Sequence, residues 1–236
     1  MKSFIVEKKY ILFPVSMDAP CKMVTVCSEG EKIFEFDIPV ENGNSPYRFQ
    51  YYAPLNVEKW KGQEITIEVE DALDFLDAVG FSDDRVDTVQ HKPQIHFSPE
   101  SGWINDPNGL IYVNDRYHLF FQYNPFQNQW GNLCWGHAVS RDLLHWEQLD
   151  TVMFPDGTGS MFSGCGIINE RGLLELPDSA LLFFYTMAGG KTKWSEGKKF
   201  TKNLAYSLDE GNTLKKVNPP VIEHIADENR DPKVYW

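Results

Sequence analysis

Positive charge is scarce in this chain. Its 236 residues carry 22 lysines and arginines against 34 aspartates and glutamates, a formal net charge of -12 at pH 7. Binding to a phosphate backbone depends on Lys and Arg neutralising phosphates, so nucleic acid is excluded as a partner and a neutral one fits better. Long hydrophobic runs are missing as well. No stretch reaches the roughly 20 apolar residues needed to span a bilayer, so no membrane partner is expected. Glu7, Lys8 and Lys9 divide Phe4-Ile5-Val6 from Tyr10-Ile11-Leu12-Phe13-Pro14-Val15, a poor signal-peptide core. The expectation is a cytoplasmic protein, or a secreted one if a leader has been removed. Cysteine is sparse, and Cys21, Cys27, Cys134 and Cys165 form no C-x-x-C pair and no zinc spacing with histidine. They read as free, mostly buried thiols. The six scattered histidines read as satisfied structural residues, and no metal or cofactor is expected.

Aromatic residues are plentiful, at 14% within a composition that is 42% hydrophobic and 24% charged. They favour strands and sugar-facing or apolar pockets. Residues 1–88 read as a small all-β, sandwich-like module. Met23-Val24-Thr25-Val26 and Ile33-Phe34-Glu35-Phe36-Asp37-Ile38 flank a Ser28-Glu29-Gly30-Glu31 turn, a hairpin pattern. Gln63–Glu70 alternates apolar and charged residues as a half-buried strand does. The acidic run from Ser82 to Asp87 reads as a solvated linker closing this domain.

From His96 onward the chain repeats itself. One unit runs through Gly109–Val113, Tyr117–Tyr123, Gly136–Asp142 and His145–Leu149. The next runs through Gly164–Ile168, Ala180–Thr186, Asn203–Asp209 and Thr213–Val217. Ala138, Ser140 and Asp142 match Ala205, Ser207 and Asp209 at one constant offset. Four short strands per unit is the make-up of a propeller blade. A third unit opens at Asp231-Pro232-Lys233-Val234-Tyr235-Trp236, where the sequence stops. Residues 89–236 thus read as two blades and the start of a third, with an exposed strand edge over Arg230–Trp236. Such edges recruit other chains, so self-association is expected.

Two carboxylates occupy equivalent points of this repeat. Asp106, in Trp103-Ile104-Asn105-Asp106-Pro107-Asn108-Gly109, precedes the first strand of one unit, and Asp231 precedes that of another. Asp-Pro-Asn-Gly is by itself a good tight-turn sequence. Against a mere turn stand the preceding Trp103 and the second Asp-Pro step. The innermost strands of a propeller surround one channel, so equivalent positions converge at its mouth. A following proline favours extended backbone, which would aim both carboxylates alike. Paired carboxylates flanking a scissile bond are the equipment of glycoside cleavage.

His96-Phe97-Ser98-Pro99, the Trp103–Gly109 stretch, Phe121-Gln122-Tyr123-Asn124-Pro125, Trp130–His137 and Arg230–Val234 follow one another in order over residues 94–236. Together they resemble glycoside hydrolase family 32, the invertases, levanases, inulinases and sucrose-phosphate hydrolases. The resemblance implies a five-bladed β-propeller, normally followed by a β-sandwich. It implies that Asp106 is a nucleophile attacking the anomeric carbon of a β-fructofuranosyl unit, and that Asp231 stabilises the transition state by bonding ring hydroxyls. Asn105, Gln122, Ser163 and Arg230 would hydrogen-bond the substrate, and Trp130 and Phe162 would wall the fructose pocket. The implied mechanism is double displacement with retention on sucrose or a fructan.

Two departures accompany the match. The family's Phe-Ser-Gly-Ser is Phe162-Ser163-Gly164-Cys165 here, and no residue matches the acid/base glutamate of its Glu-Cys motif. The 236 residues by themselves are therefore expected to be inactive. A fructosyltransferase and a non-catalytic fructan-binding propeller are the alternatives. The N-terminal module reads as either a carbohydrate-binding or a packing domain.

Overall fold

The computed structural model describes residues 1–41, 47–86, 93 and 95–236. The domain boundary expected at residue 88 lies outside the described residues. The chain divides into two compact units. The first comprises the described part of Met1–Lys92 with Pro99–Trp103 and Asn124–Asn132; the second comprises the described part of Pro93–Ser98, Ile104–Tyr123 and Leu133–Trp236.

In the first unit, strands β1 (Lys2–Ile5), β3 (Cys21–Ser28), β4 (Glu31–Pro39) and β6 (Glu64–Val69) form an antiparallel sheet in the order β1-β6-β3-β4. The β3–β4 hairpin closes through Glu29 and Gly30, both at positive φ (51° and 80°), the backbone that suits a two-residue turn. A second sheet has the order β5-β2-β7, from β2 (Tyr10–Val15), β5 (Tyr51–Asn56) and β7 (Gly80–Ser82). Phe13 of β2 meets Phe36 of β4 edge-on at 5.1 Å and Phe75 at 6.3 Å. Phe75 stands on a short helix, α1 (Leu73–Ala78), which an all-β reading of the sequence does not anticipate. Phe75 and Leu76 are buried, so packing rather than capping holds this single turn. The acidic run is no free linker at its start: Ser82 pairs with Tyr10, and Asp83 bonds Lys8 at 2.6 Å.

Asn124–Asn132 joins this unit because Phe126 stacks on Phe36 at 3.6 Å. In addition, Asn132 brackets Asp37, accepting from its N–H (2.9 Å) and donating to its carbonyl (2.8 Å).

The second unit consists of two antiparallel meanders. One is β11-β10-β9-β8, from β8 (Trp103–Val113), β9 (Arg116–Asn124), β10 (Cys134–Ser140) and β11 (Trp146–Gln148). The other is β12-β13-β14-β15, from β12 (Ser160–Ile168), β13 (Leu181–Ala188), β14 (Phe200–Ser207) and β15 (Lys215–Ile222). These are the two repeated units, and the residues matched between them perform the same task. Ser140 and Ser207 each accept an N–H two residues on, from Asp142 and Asp209. Those aspartates accept further N–H groups from His145 and Thr213, at 2.8 and 2.9 Å. The Ser-x-Asp step is thus the turn between the third and fourth strands.

Between the two meanders lies a hydrophobic core of Ile111, Phe120, Trp135, Met153, Met161, Leu181, Phe183, Tyr185, Met187 and Ala205. Trp135, fully buried, meets Phe183 edge-on at 6.2 Å and donates its indole N–H to the Phe162 carbonyl at 3.1 Å. Two of the four thiols, Cys134 and Cys165, are buried; Cys27 is half-buried and Cys21 exposed, so burial of the thiols is confined to the second unit.

Residues 230–236 form no strand, which corrects the expected opening of a third blade. Pro232 has no N–H to give a ladder, and the segment is held instead by side chains. Val234 N–H reaches Cys165 Sγ at 3.2 Å, and the Trp236 indole donates to Ile168 O at 2.8 Å. Self-association through a strand edge there loses that basis.

Candidate active site

Asp106 lies within β8, not in a turn ahead of it, and its side chain faces solvent. Its partner comes from β12 through an irregularity of register. Phe162 pairs with Thr186 and Gly164 with Tyr185, which leaves Ser163 as the extra residue of a bulge. Bulges re-aim side chains beside functional sites, and here Ser163 Oγ donates to Asp106 Oδ2 at 2.7 Å. The bulge needs a glycine next to it, since a Cβ on Gly164 would sit 2.0 Å from the Phe184 carbonyl oxygen.

The second carboxylate arrives from the C-terminal segment. Asp231 N–H donates to Thr186 Oγ1 at 3.0 Å, and Arg230 Nε lies 3.6 Å from Asp231 Oδ2. Partial burial raises the Asp231 carboxyl above its ordinary range. Arg230 opposes that shift, Asp106 adds to it, and Lys202 opposes it. The charge on Asp106 therefore reaches Asp231. Asp231 has a left-handed φ of 59°, not the extended backbone expected before proline. The hydrogen bond to Thr186 and the neighbouring charges hold it there at a local cost.

The other expected residues divide. Asn105 is half-buried on β8, beside Asp106. Gln122 is buried, and its Nε2 donates to the Met161 carbonyl at 2.7 Å, tying β9 to β12, while its Oε1 has no partner among the described residues. Phe162 packs edge-on against Phe200 at 5.6 Å in a cluster with Leu133 and Ala188, so most of its ring is core. Arg230 is exposed and also donates to Glu228 at 3.2 Å. Trp130 is exposed and stands on Asn124–Asn132, which belongs to the first unit. Sequence reasoning missed Thr186 and Lys202, both buried, whose one signal is polarity within apolar strands. Among the described residues no group of three or more His, Cys, Asp or Glu could hold a metal ion.

A carboxylate oriented by a serine hydroxyl can attack a carbon centre, and a second carboxylate paired with an arginine can bond the hydroxyls of a ligand. The family model for the "Glycosyl hydrolases family 32 N-terminal domain" matches residues 96–236, more than half of the chain. The chain belongs to glycosyl hydrolase family 32. Among relatives, the levanase of Bacillus subtilis is 38% identical over 179 residues, covering 72% of this chain and 25% of the levanase. The invertase of Schizosaccharomyces pombe is 40% identical over 157 residues, covering 61% and 26%. An extracellular exo-inulinase of Aspergillus awamori is 38% identical over 171 residues, covering 62% and 32%. The fructofuranosidase of Schwanniomyces occidentalis, solved with fructose, superposes with a TM-score of 0.55 at 38% identity, covering 61% of this chain and 29% of that one. The two meanders therefore belong to the β-propeller of family 32. The chain spans about a quarter to a third of the length of these relatives.

Proposed function

We propose that this chain carries the nucleophile and the stabilising carboxylate of a retaining hydrolase of β-fructofuranosidic bonds, acting on sucrose or a fructan. The observation that supports it is the Ser163–Asp106 hydrogen bond, with Asp231 close enough to feel the Asp106 charge. Asp106 attacks the anomeric carbon and the glycosidic C–O bond breaks as the leaving oxygen takes a proton. Water then displaces the carboxylate. Asp231, steadied by Arg230, bonds the ring hydroxyls. In the same reading, Asn105, Gln122, Ser163 and Arg230 contact fructose, and Trp130 and Phe162 flank it. Residues 89–236 are part of a five-bladed propeller, and residues 1–88 a sandwich-like accessory domain. The chain is cytoplasmic in this reading, or secreted if a leader has been removed; an extracellular exo-inulinase among the relatives supports the second.

A donor whose leaving group needs no proton tests this on the chain as it stands. Fructosyl fluoride should leave one fructosyl unit esterified to Asp106, read by mass spectrometry of peptides. The Asp106→Asn variant should show no adduct. An adduct on another residue, or equal labelling of both proteins, refutes the role of Asp106.

A further inference from the structure

Asp231 stands on a stretch that belongs to no strand, yet two strand residues hold it. Thr186 of β13 and Lys202 of β14 are directly opposite in register, so their side chains share one face of the sheet. Thr186 Oγ1 accepts the Asp231 N–H at 3.0 Å, and Lys202 Nζ donates to the carbonyl oxygen of Asn229. Lys202 is 9% exposed, a rare position for an ammonium unless it is compensated. A carbonyl is a partial compensation for a full charge, and the Asp231 carboxylate attracts the ammonium through space.

We propose that Thr186 and Lys202 form a cross-strand clamp for Asp231, in which Lys202 is a positioning residue that anchors the Asn229 carbonyl and gives the carboxylate a sheltered counter-charge. Its catalytic meaning rests on the reading of Asp231 as the stabilising carboxylate. The charges facing Asp231 come from three elements. Asp106 on β8 repels it, while Arg230 on its own segment and Lys202 on β14 attract it. Arg230 is the stronger of the two attractions but is half exposed and shared with Glu228, which itself bonds Lys191 at 2.8 Å. Salt screens an exposed pair far more than a buried one. Lys202, at 9% exposed, is the better sheltered of the two counter-charges. Burial pulls Lys202 below the ordinary lysine range and Asp231 pulls it back, the reciprocal of the same attraction.

The test is a carboxyl-detected NMR titration of Asp231 in the 236-residue chain, with hydrogen exchange of its amide. Removal of an opposite charge at short range raises a carboxyl by about one unit at the low end of the usual effect. Lys202→Met and Lys202→Gln should both shift the Asp231 midpoint upward by about that much, and Lys202→Arg should restore most of it. Lys202→Gln keeps a donor for Asn229 and covers the case in which Lys202→Met fails to fold. Thr186→Val, nearly isosteric, should speed exchange of the Asp231 amide about tenfold, as loss of one hydrogen bond allows. A purely structural lysine would destabilise the fold on removal without moving the Asp231 midpoint. An unmoved midpoint in both the Gln and Met variants, or unaltered exchange in Thr186→Val, overturns the clamp. The titration does not depend on turnover. A flat result therefore leaves the glycosidase reading standing, and failure of Asp106 labelling leaves the clamp standing.

Discussion

Mild acid should destabilise the second unit through one buried imidazole. His137 is fully buried, its ring stacked on Phe120 at 4.2 Å and 8°. Its Nε2 lies 3.1 Å from His118 Nδ1, while its own Nδ1 and the Nε2 of His118 have no partner among the described residues. Burial foremost, with repulsion from His118, lowers the His137 pKa to about 3, against a small opposing pull from Asp209. The unfolded chain binds a proton near pH 6.5 that the folded chain refuses down to about pH 3. Stability is therefore complete above pH 6.5 and falls as the pH drops through that window, by up to about 1.4 kcal/mol per unit. Between pH 7 and pH 4 the loss is about 3 kcal/mol, a large part of the usual 5–15 kcal/mol. His118 adds to it, since burial lowers its pKa as well. The assay is urea unfolding at pH 7, 5.5 and 4 for wild type and His137→Phe, which keeps the stack on Phe120 but cannot titrate. Asp142 and Asp209, whose folded carboxyls are held low, also lose their contribution in acid, but in both proteins alike. Identical pH dependence of the two proteins would refute the reasoning.

Trp135→Ala should cost about 3–5 kcal/mol, because it empties the core between the blades and frees the Phe162 carbonyl; a melting temperature lowered by less than about 3 °C would contradict this packing. Ser163→Ala removes the hydroxyl that orients Asp106. In an active polypeptide containing this chain it should lower kcat/KM by roughly tenfold to a hundredfold, the value of a hydrogen bond to a charged group, and unchanged kinetics would assign Ser163 to the bulge alone. Without a matched proton donor, residues 1–236 should not measurably release fructose from sucrose, inulin or levan, since a positioned acid supplies about 10²–10⁴-fold. Release within about tenfold of a complete family enzyme would put the donor inside the chain.

Much of this architecture was legible because local chemistry repeats. The Ser-x-Asp steps at Ser140 and Ser207 specify the same turn twice, and period-two alternation marks β3, β4 and β6. Legibility failed where a residue's state depends on neighbours remote in sequence. Phe162 read as a pocket wall, and its packing against Phe200 and Leu133 was not legible beside that reading. Arg230–Trp236 read as a strand, but the polar atoms it meets on β12 and β13 are a thiol, a hydroxyl and a strand-end carbonyl, not a free ladder edge. The helix at Leu73–Ala78 is too short to show a period.

By itself the sequence determined the all-β class, the two four-stranded repeats and the motifs that mark family 32, since turn chemistry and alternation act over a few residues. Only the tertiary structure decided what surrounds each carboxylate. The bulge that turns Ser163 onto Asp106, the repulsion between Asp106 and Asp231, and the buried Lys202 beneath Asn229 join residues far apart along the chain. Hydrogen bonds and Coulomb forces act through space at a few ångströms, and those distances exist only once the strands have paired.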